Sequence, residues 1–221
     1  MKISTGLLAT LGALAMATGA GAGTSILTDG NFNAPYAGGN FVDDASGTTF
    51  GGWTVGTPSQ DPAGGGSVDL IGGYWQAPPA TGGGSVDLDG LAAGSISQTV
   101  DVTAPGTYDL TFYFSGNPDG GAAAKSFDVT LAGYSGAFTY TTGSNTHGNM
   151  NYTYSGVIPV YLGDGLQTLT FSSTDSASSD WGAVIGGVGL ALPEPGTWGL
   201  MLVGLGGLGA ALRARRKLAI A

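Results

Sequence analysis

Hydrophobic and polar residues alternate along most of the chain between about residues 26 and 190. Ile96, Gln98, Val100 and Val102 share one face of an extended segment, with Ser97, Thr99 and Asp101 on the other. Tyr108, Leu110, Phe112 and Phe114 repeat the pattern against Asp109, Thr111 and Tyr113. Shorter runs follow: Phe127, Val129 and Leu131, then Phe138 and Tyr140, then Leu169 and Phe171. A period of two in segments rich in Thr, Val, Phe and Tyr marks strands with one buried face. Ala104-Pro105-Gly106, Asn117-Pro118-Asp119-Gly120-Gly121 and Gly163-Asp164-Gly165 supply turn chemistry between the runs. No segment of this region has a convincing helical period. The pattern predicts an all-β domain built as an antiparallel β-sandwich, with a jelly roll as the expected version.

One heptapeptide, GGGSVDL, occurs twice, at residues 64–70 and 82–88. In an extended chain its Val and Leu point one way and its Ser and Asp the other. The copies therefore read as two strands of one sandwich, with Val68, Leu70, Val86 and Leu88 directed to the core. Asp69, Asp87 and Asp89 fall on the opposite face or at strand ends. The triple glycines read as flexible lead-ins.

The two ends of the chain carry different chemistry. Lys2 precedes an apolar run from Gly6 to Ala17, and Ala20-Gly21-Ala22 forms a small-residue cleavage site. This is the plan of a secretory signal peptide over residues 1–22. At the other end Pro193-Glu194-Pro195 is followed by an apolar, glycine-rich run from Gly196 to Leu212 and by Arg213, Arg215, Arg216 and Lys217. A run of seventeen residues stands at the lower limit for a spanning helix, and the basic cluster would hold its end in the cytoplasm. This three-part order resembles the PEP-CTERM sorting signal of Gram-negative bacteria. The resemblance implies an exosortase-type transpeptidase as partner, transient membrane insertion through residues 193–221, and delivery to the cell surface or an extracellular matrix.

Residues 23–192 remain as a single domain. A further resemblance rests on an ordered series within it: Asp29-Gly30-Asn31-Phe32-Asn33, Trp53-Thr54-Val55, Gly66-Ser67-Val68-Asp69-Leu70, Tyr74-Trp75-Gln76, Ser85-Val86-Asp87-Leu88-Asp89-Gly90, Gly94-Ser95-Ile96-Ser97-Gln98-Thr99, Pro105-Gly106-Thr107-Tyr108 and Gly116-Asn117-Pro118-Asp119-Gly120-Gly121. The series is similar to the choice-of-anchor C domain, and it implies a galactose-binding-like sandwich with no known reaction. Asn33 stands where that family usually has an acidic residue, and Gly186-Gly187-Val188 where it usually has Asp-Asn-Val. In jelly-roll binding modules calcium is often held where the first and last strands meet, so two oxygen donors are missing there.

Within the domain fourteen aspartates face a single cation, Lys125, with no Glu and no Arg, which leaves a balance of −13. Such a surface repels phosphates and excludes nucleic acid as a partner. The chain has no cysteine, so neither disulfides nor a thiol nucleophile enter. The one histidine, His147, lies in the polar stretch Gly143-Ser144-Asn145-Thr146-His147-Gly148, and nothing beside it in sequence suggests a triad. The reading is therefore non-enzymatic.

Two kinds of binding fit the composition. Sugars stack on aromatic faces and bond nearby polar groups through their hydroxyls. Tyr74, Trp75, Gln76 and Trp53 are the candidates, with Trp181 a further aromatic and Asp87 and Asp89 further polar partners. Calcium prefers six to eight oxygens, and Asp87 and Asp89 place two carboxylates at i and i+2, which makes calcium the one candidate cofactor. The sequence thus describes an exported surface or matrix protein, with exopolysaccharide as a candidate ligand. The alternative is a structural or adhesive module without a specific ligand.

Overall fold

The computed structural model describes residues 23–34, 38–79 and 82–193, which lie within one unit spanning Ala22–Pro193. The signal peptide at residues 1–22, Glu194 and Pro195 of the sorting motif, the apolar run, and Arg213, Arg215, Arg216 and Lys217 lie outside the described residues. Among the described residues there are thirteen strands and no helix. They are β1 (Phe41–Ala45), β2 (Thr49–Phe50), β3 (Trp53–Gly56), β4 (Ser67–Ile71), β5 (Ser85–Asp87), β6 (Ser95–Val102) and β7 (Gly106–Gly116). Then come β8 (Ala124–Leu131), β9 (Tyr134–Thr141), β10 (Thr153–Tyr154), β11 (Ile158–Leu162), β12 (Gly165–Ser173) and β13 (Ala183–Ala191).

The strands form two antiparallel sheets, ordered β1-β4-β5-β13-β7-β10 with β11 also on β7, and β2-β3-β6-β12-β8-β9. The fold is the all-β sandwich that the alternation predicts. Its core is one cluster built from the inward rows of both sheets. Trp53, Val68, Leu70, Val86, Leu88, Ile96, Phe112, Phe127, Leu169 and Phe171 belong to it, each 1% exposed or less. Each such side chain contributes roughly 1.5–3 kcal/mol by leaving water. Gln98, a polar member of an inward row, is buried because it docks the N-terminal segment. Its Oε1 accepts from Thr28 N at 2.7 Å and its Nε2 donates to Thr28 O at 2.9 Å.

The two GGGSVDL copies become neighbouring strands, β4 and β5, paired Asp69 to Asp87, Leu70 to Val86 and Ile71 to Ser85. Their glycines are more than flexible lead-ins. A β-carbon on Gly83 would stand 2.0 Å from Asn31 O, and one on Gly84 2.3 Å from Ile71 O. Close backbone packing requires glycine there.

Candidate functional site: a cleft on the outer face of the first sheet

Residues paired across a sheet share a face. Asp43 on β1 pairs with Asp69 on β4, and Asp69 pairs with Asp87 on β5, so three aspartates stand side by side on the face away from the core. The same row continues to Val184 on β13 and Ser115 on β7. The row passes from solvent to interior: Asp43 is exposed, Asp69 half-buried and Asp87 fully buried.

The buried end is covered by two loops. Ile71, Trp75, Met150 and Val184 form a second, smaller apolar cluster, with Tyr74 and Tyr152 against it. Trp75 Nε1 donates to Ser85 Oγ at 3.0 Å. Gln76 ties the loops together: its N donates to His147 O at 2.7 Å and its Oε1 accepts from Met150 N at 2.9 Å. Ser115 Oγ donates to Met150 O, and Asn145 Nδ2 donates to Ser115 Oγ at 3.0 Å.

At the open end lies a cleft of about 210 Å³. Phe41, Tyr74 and Trp181 give it aromatic walls, and Asp43, Asp69, Asp119 and Asp180 line it with carboxylates. Phe41 is 45% exposed, Trp181 37% and the neighbouring Leu91 78%, so large apolar surface meets water around the cleft. Phe41 meets Tyr74 edge-on with ring centroids 5.2 Å apart, and His147 lies 4.5 Å from Tyr74. His147 Nε2 stands 2.6 Å from Asp119 Oδ1, which joins the 142–152 loop to the turn after β7.

Behind the cleft is a buried polar network. Asp87 Oδ1 accepts from Asp89 N and Gly182 N, each at 3.0 Å, and its Oδ2 accepts from Asn117 Nδ2 at 2.6 Å. Lys125, the only cation of the domain, is fully buried. Its Nζ donates to Gly120 O at 2.7 Å and Trp181 O at 2.6 Å. Asp89 is fully buried too, with the Ser173 and Ser179 side chains as its polar neighbours. Gly182 separates the two acids so closely that a β-carbon would sit 2.5 Å from Asp89 Cγ and 2.7 Å from Asp87 Oδ1.

Burial raises these carboxyls, because a low-dielectric site disfavours the charged form. Burial, then the charges of Asp43 and Asp44, push Asp69 up to about 7. Asp89 rises to about 6 through burial, although Ser173, Ser179 and Lys125 draw it down. Asp87 stands well above the usual carboxylate range for the same first reason, opposed by the Asp89 amide and the Asn117 side chain. Burial lowers the Lys125 ammonium, while Asp87, Asp175, Asp89 and Asp180 hold it up.

This geometry redistributes the residues singled out in the sequence. Trp53 is fully buried in the main core, its Nε1 donating to Asp29 O at 3.2 Å, and it has no face to offer a sugar. Trp75 is 5% exposed and packs in the second cluster, so it shows the cleft an edge rather than an open face. Tyr74 does reach the cleft. Gln76 is exposed, but its backbone N and side-chain oxygen are spent on the loop.

Asp87 and Asp89 do not suit calcium. The oxygens of Asp87 accept from three N–H donors, and the Lys125 charge reaches Asp89 only as the smallest of the influences on it. Among the described residues no group of three or more Asp, Glu, His or Cys side chains is arranged to hold a metal ion. Where the first segment meets the last strand, Val188 N donates to Gly30 O at 2.7 Å. Both Asp29 carboxylate oxygens accept backbone amides there, from Asn33 and Ala34.

Comparison with known proteins touches the two parts of the chain differently. Residues 191–217 match the PEP-CTERM protein-sorting motif, which marks an exported surface protein processed by an exosortase. No curated protein matches the chain. Structures of similar fold include a family 35 carbohydrate-binding module from Clostridium thermocellum, with a TM-score of 0.40 and 15% identity over 67% of this chain and 97% of that one. CBM35 from Paenibacillus barcinonensis gives 0.39 and 16% over 68% and 98%. CBM35 from Cellvibrio japonicus Abf62 gives 0.37 and 20% over 51% and 76%. Likeness at this level concerns the sandwich and says nothing of a ligand.

Proposed function

We propose that this exported protein binds a neutral or amino-bearing polysaccharide in the cleft between Tyr74 and Trp181, without catalysing a reaction. One observation carries the reading: partly exposed aromatic rings and carboxylates line the same concave site. Aromatic faces cover the apolar faces of a sugar ring, and carboxylates accept from its hydroxyls. A large apolar surface left in water around a cleft is the usual mark of a binding site.

The charges narrow the class. Asp43, Asp69, Asp119 and Asp180 face the cleft, and the lone lysine is buried behind it with its donors on backbone carbonyls. A uronic acid would meet repulsion with only His147 to offset it, whereas a hydroxyl or an ammonium group would be welcomed.

The test is an array of neutral, amino and uronic oligosaccharides probed with the full chain in mild detergent. Binding to neutral or amino glycans that is lost in Trp181→Ala supports the proposal. A blank array leaves a structural surface module instead, and preference for uronates overturns the charge argument.

A further inference from the structure

A second cleft, of about 230 Å³, lies beside the first. It is lined by Gly121, Ala122, Asp175 and the serines 176, 178 and 179, together with Asp180 and Trp181. The last two residues also line the first cleft. The clefts are therefore two sides of one Trp181-Asp180 ridge.

Several contacts fix that ridge. Trp181 O accepts from the buried Lys125 ammonium, and the next residue, Gly182, donates its N to Asp87. The indole lies directly over Gly120, where a β-carbon would come within 3.0 Å of Cε2. Main chain and ring are thus held by the buried network behind them. The two sides differ in chemistry. The first offers aromatic rings and carboxylates, the second serine hydroxyls and the Asp175 carboxylate. Each cleft alone falls below the roughly 300 Å³ at which sites for drug-sized ligands begin, and together they exceed it.

We infer that the two clefts form one groove across Trp181, and that it takes an internal stretch of a linear polysaccharide rather than a single sugar or a chain end. The inference rests on the glycan reading above. The first cleft holds one part of the chain between Tyr74 and Trp181. The second holds the next part against the serine loop. Filling both sides joins two weak contacts into one strong one through effective concentration.

The experiment is calorimetric titration of the full chain, in mild detergent, with β-1,4-linked ladders of glucose, glucosamine and N-acetylglucosamine, one to six units long. The expected result is an affinity gain of at least about tenfold between the shortest bound oligomer and the longest. Ala122→Phe, which fills the second cleft from an exposed position, should remove that gain and leave the shortest oligomer's affinity unchanged. Ser178→Tyr, also at an exposed position, provides a second block should the first variant fail to fold. Binding of equal strength at every length, or a length gain that survives both blocks, overturns the inference while the glycan reading stands. No binding by any ladder at any length overturns both.

Discussion

Asp69 and Asp87 stand directly opposite each other on β4 and β5, the same position in two copies of one heptapeptide. Two carboxylates on one face of adjacent strands repel, and Asp43 extends the row on the other side. The strain is relieved by protonation, which is why burial and like charge push Asp69 up to about 7.

The pH dependence of stability follows. An unfolded Asp titrates near 4, whereas the folded Asp69 and Asp89 titrate near 7 and 6. Between these values the folded state binds more protons, so stability falls as pH rises. The share of stability held by these two groups should be full at about pH 4 and below, so the melting midpoint should decline from there to about pH 7 and then level off. Asp69→Asn should raise the midpoint at pH 8 and lose its advantage at pH 5. A midpoint that climbs from pH 5 to pH 8 would contradict the assignment.

Lys125 is the counterweight to the acids behind the cleft. It is fully buried and bonds two backbone carbonyls, one from each of the loops that meet there. Lys125→Met keeps the aliphatic bulk but strips the charge and orphans both carbonyls. The expected cost is about 3 kcal/mol or more, read from urea unfolding. A loss below about 1 kcal/mol would show that the ammonium is not the anchor.

The strands were legible where one face is buried and the other wet. β6, β7 and β8 alternate cleanly, and the structure reads the same periods. β13 was not legible, because its run Ala-Val-Ile-Gly-Gly-Val-Gly-Leu-Ala is covered on both sides: Ile185 lies in the main core and Val184 in the second cluster. β1 escaped for the opposite reason, being an exposed edge. At the site the adjacency of Tyr74 and Trp75 implied that one ring faces outward, but not which. That choice is made by the 142–152 loop, some seventy residues away, which closes over Trp75. Phe41, Asp119 and Asp180 reach the cleft only through sheet register and loop meeting, which no local pattern encodes. Sequence showed Lys125 as a lone cation among fourteen aspartates, but not that it lies in the interior.

Calcium should leave the fold unchanged. A ligand selective for the folded state raises the midpoint by mass action. Asp87 is committed to three N–H donors, and the two acids belong to no group of three or more metal-ligating side chains among the described residues. Melting in millimolar calcium should match melting in chelator. A clear rise with calcium would show a site that this donor set does not provide, and would point to the corner at Asp29.

The four tryptophans include two whose roles separate in a single pair of variants. Trp53 is fully buried between Phe32 and Phe171, with centroids at 5.4 and 6.2 Å. Trp53→Ala should cost about 3–5 kcal/mol through the cavity it leaves. Trp181 is 37% exposed on its glycine floor, and Trp181→Ala should cost about 1 kcal/mol or less. Binding should follow the reverse order: Trp181→Ala abolishes retention on the oligosaccharides bound by the unmodified chain, while any Trp53→Ala protein that still folds retains them. Urea unfolding and glycan titration on the same two preparations decide it. Binding that survives Trp181→Ala in a protein of unchanged stability would place the ligand elsewhere on the sandwich.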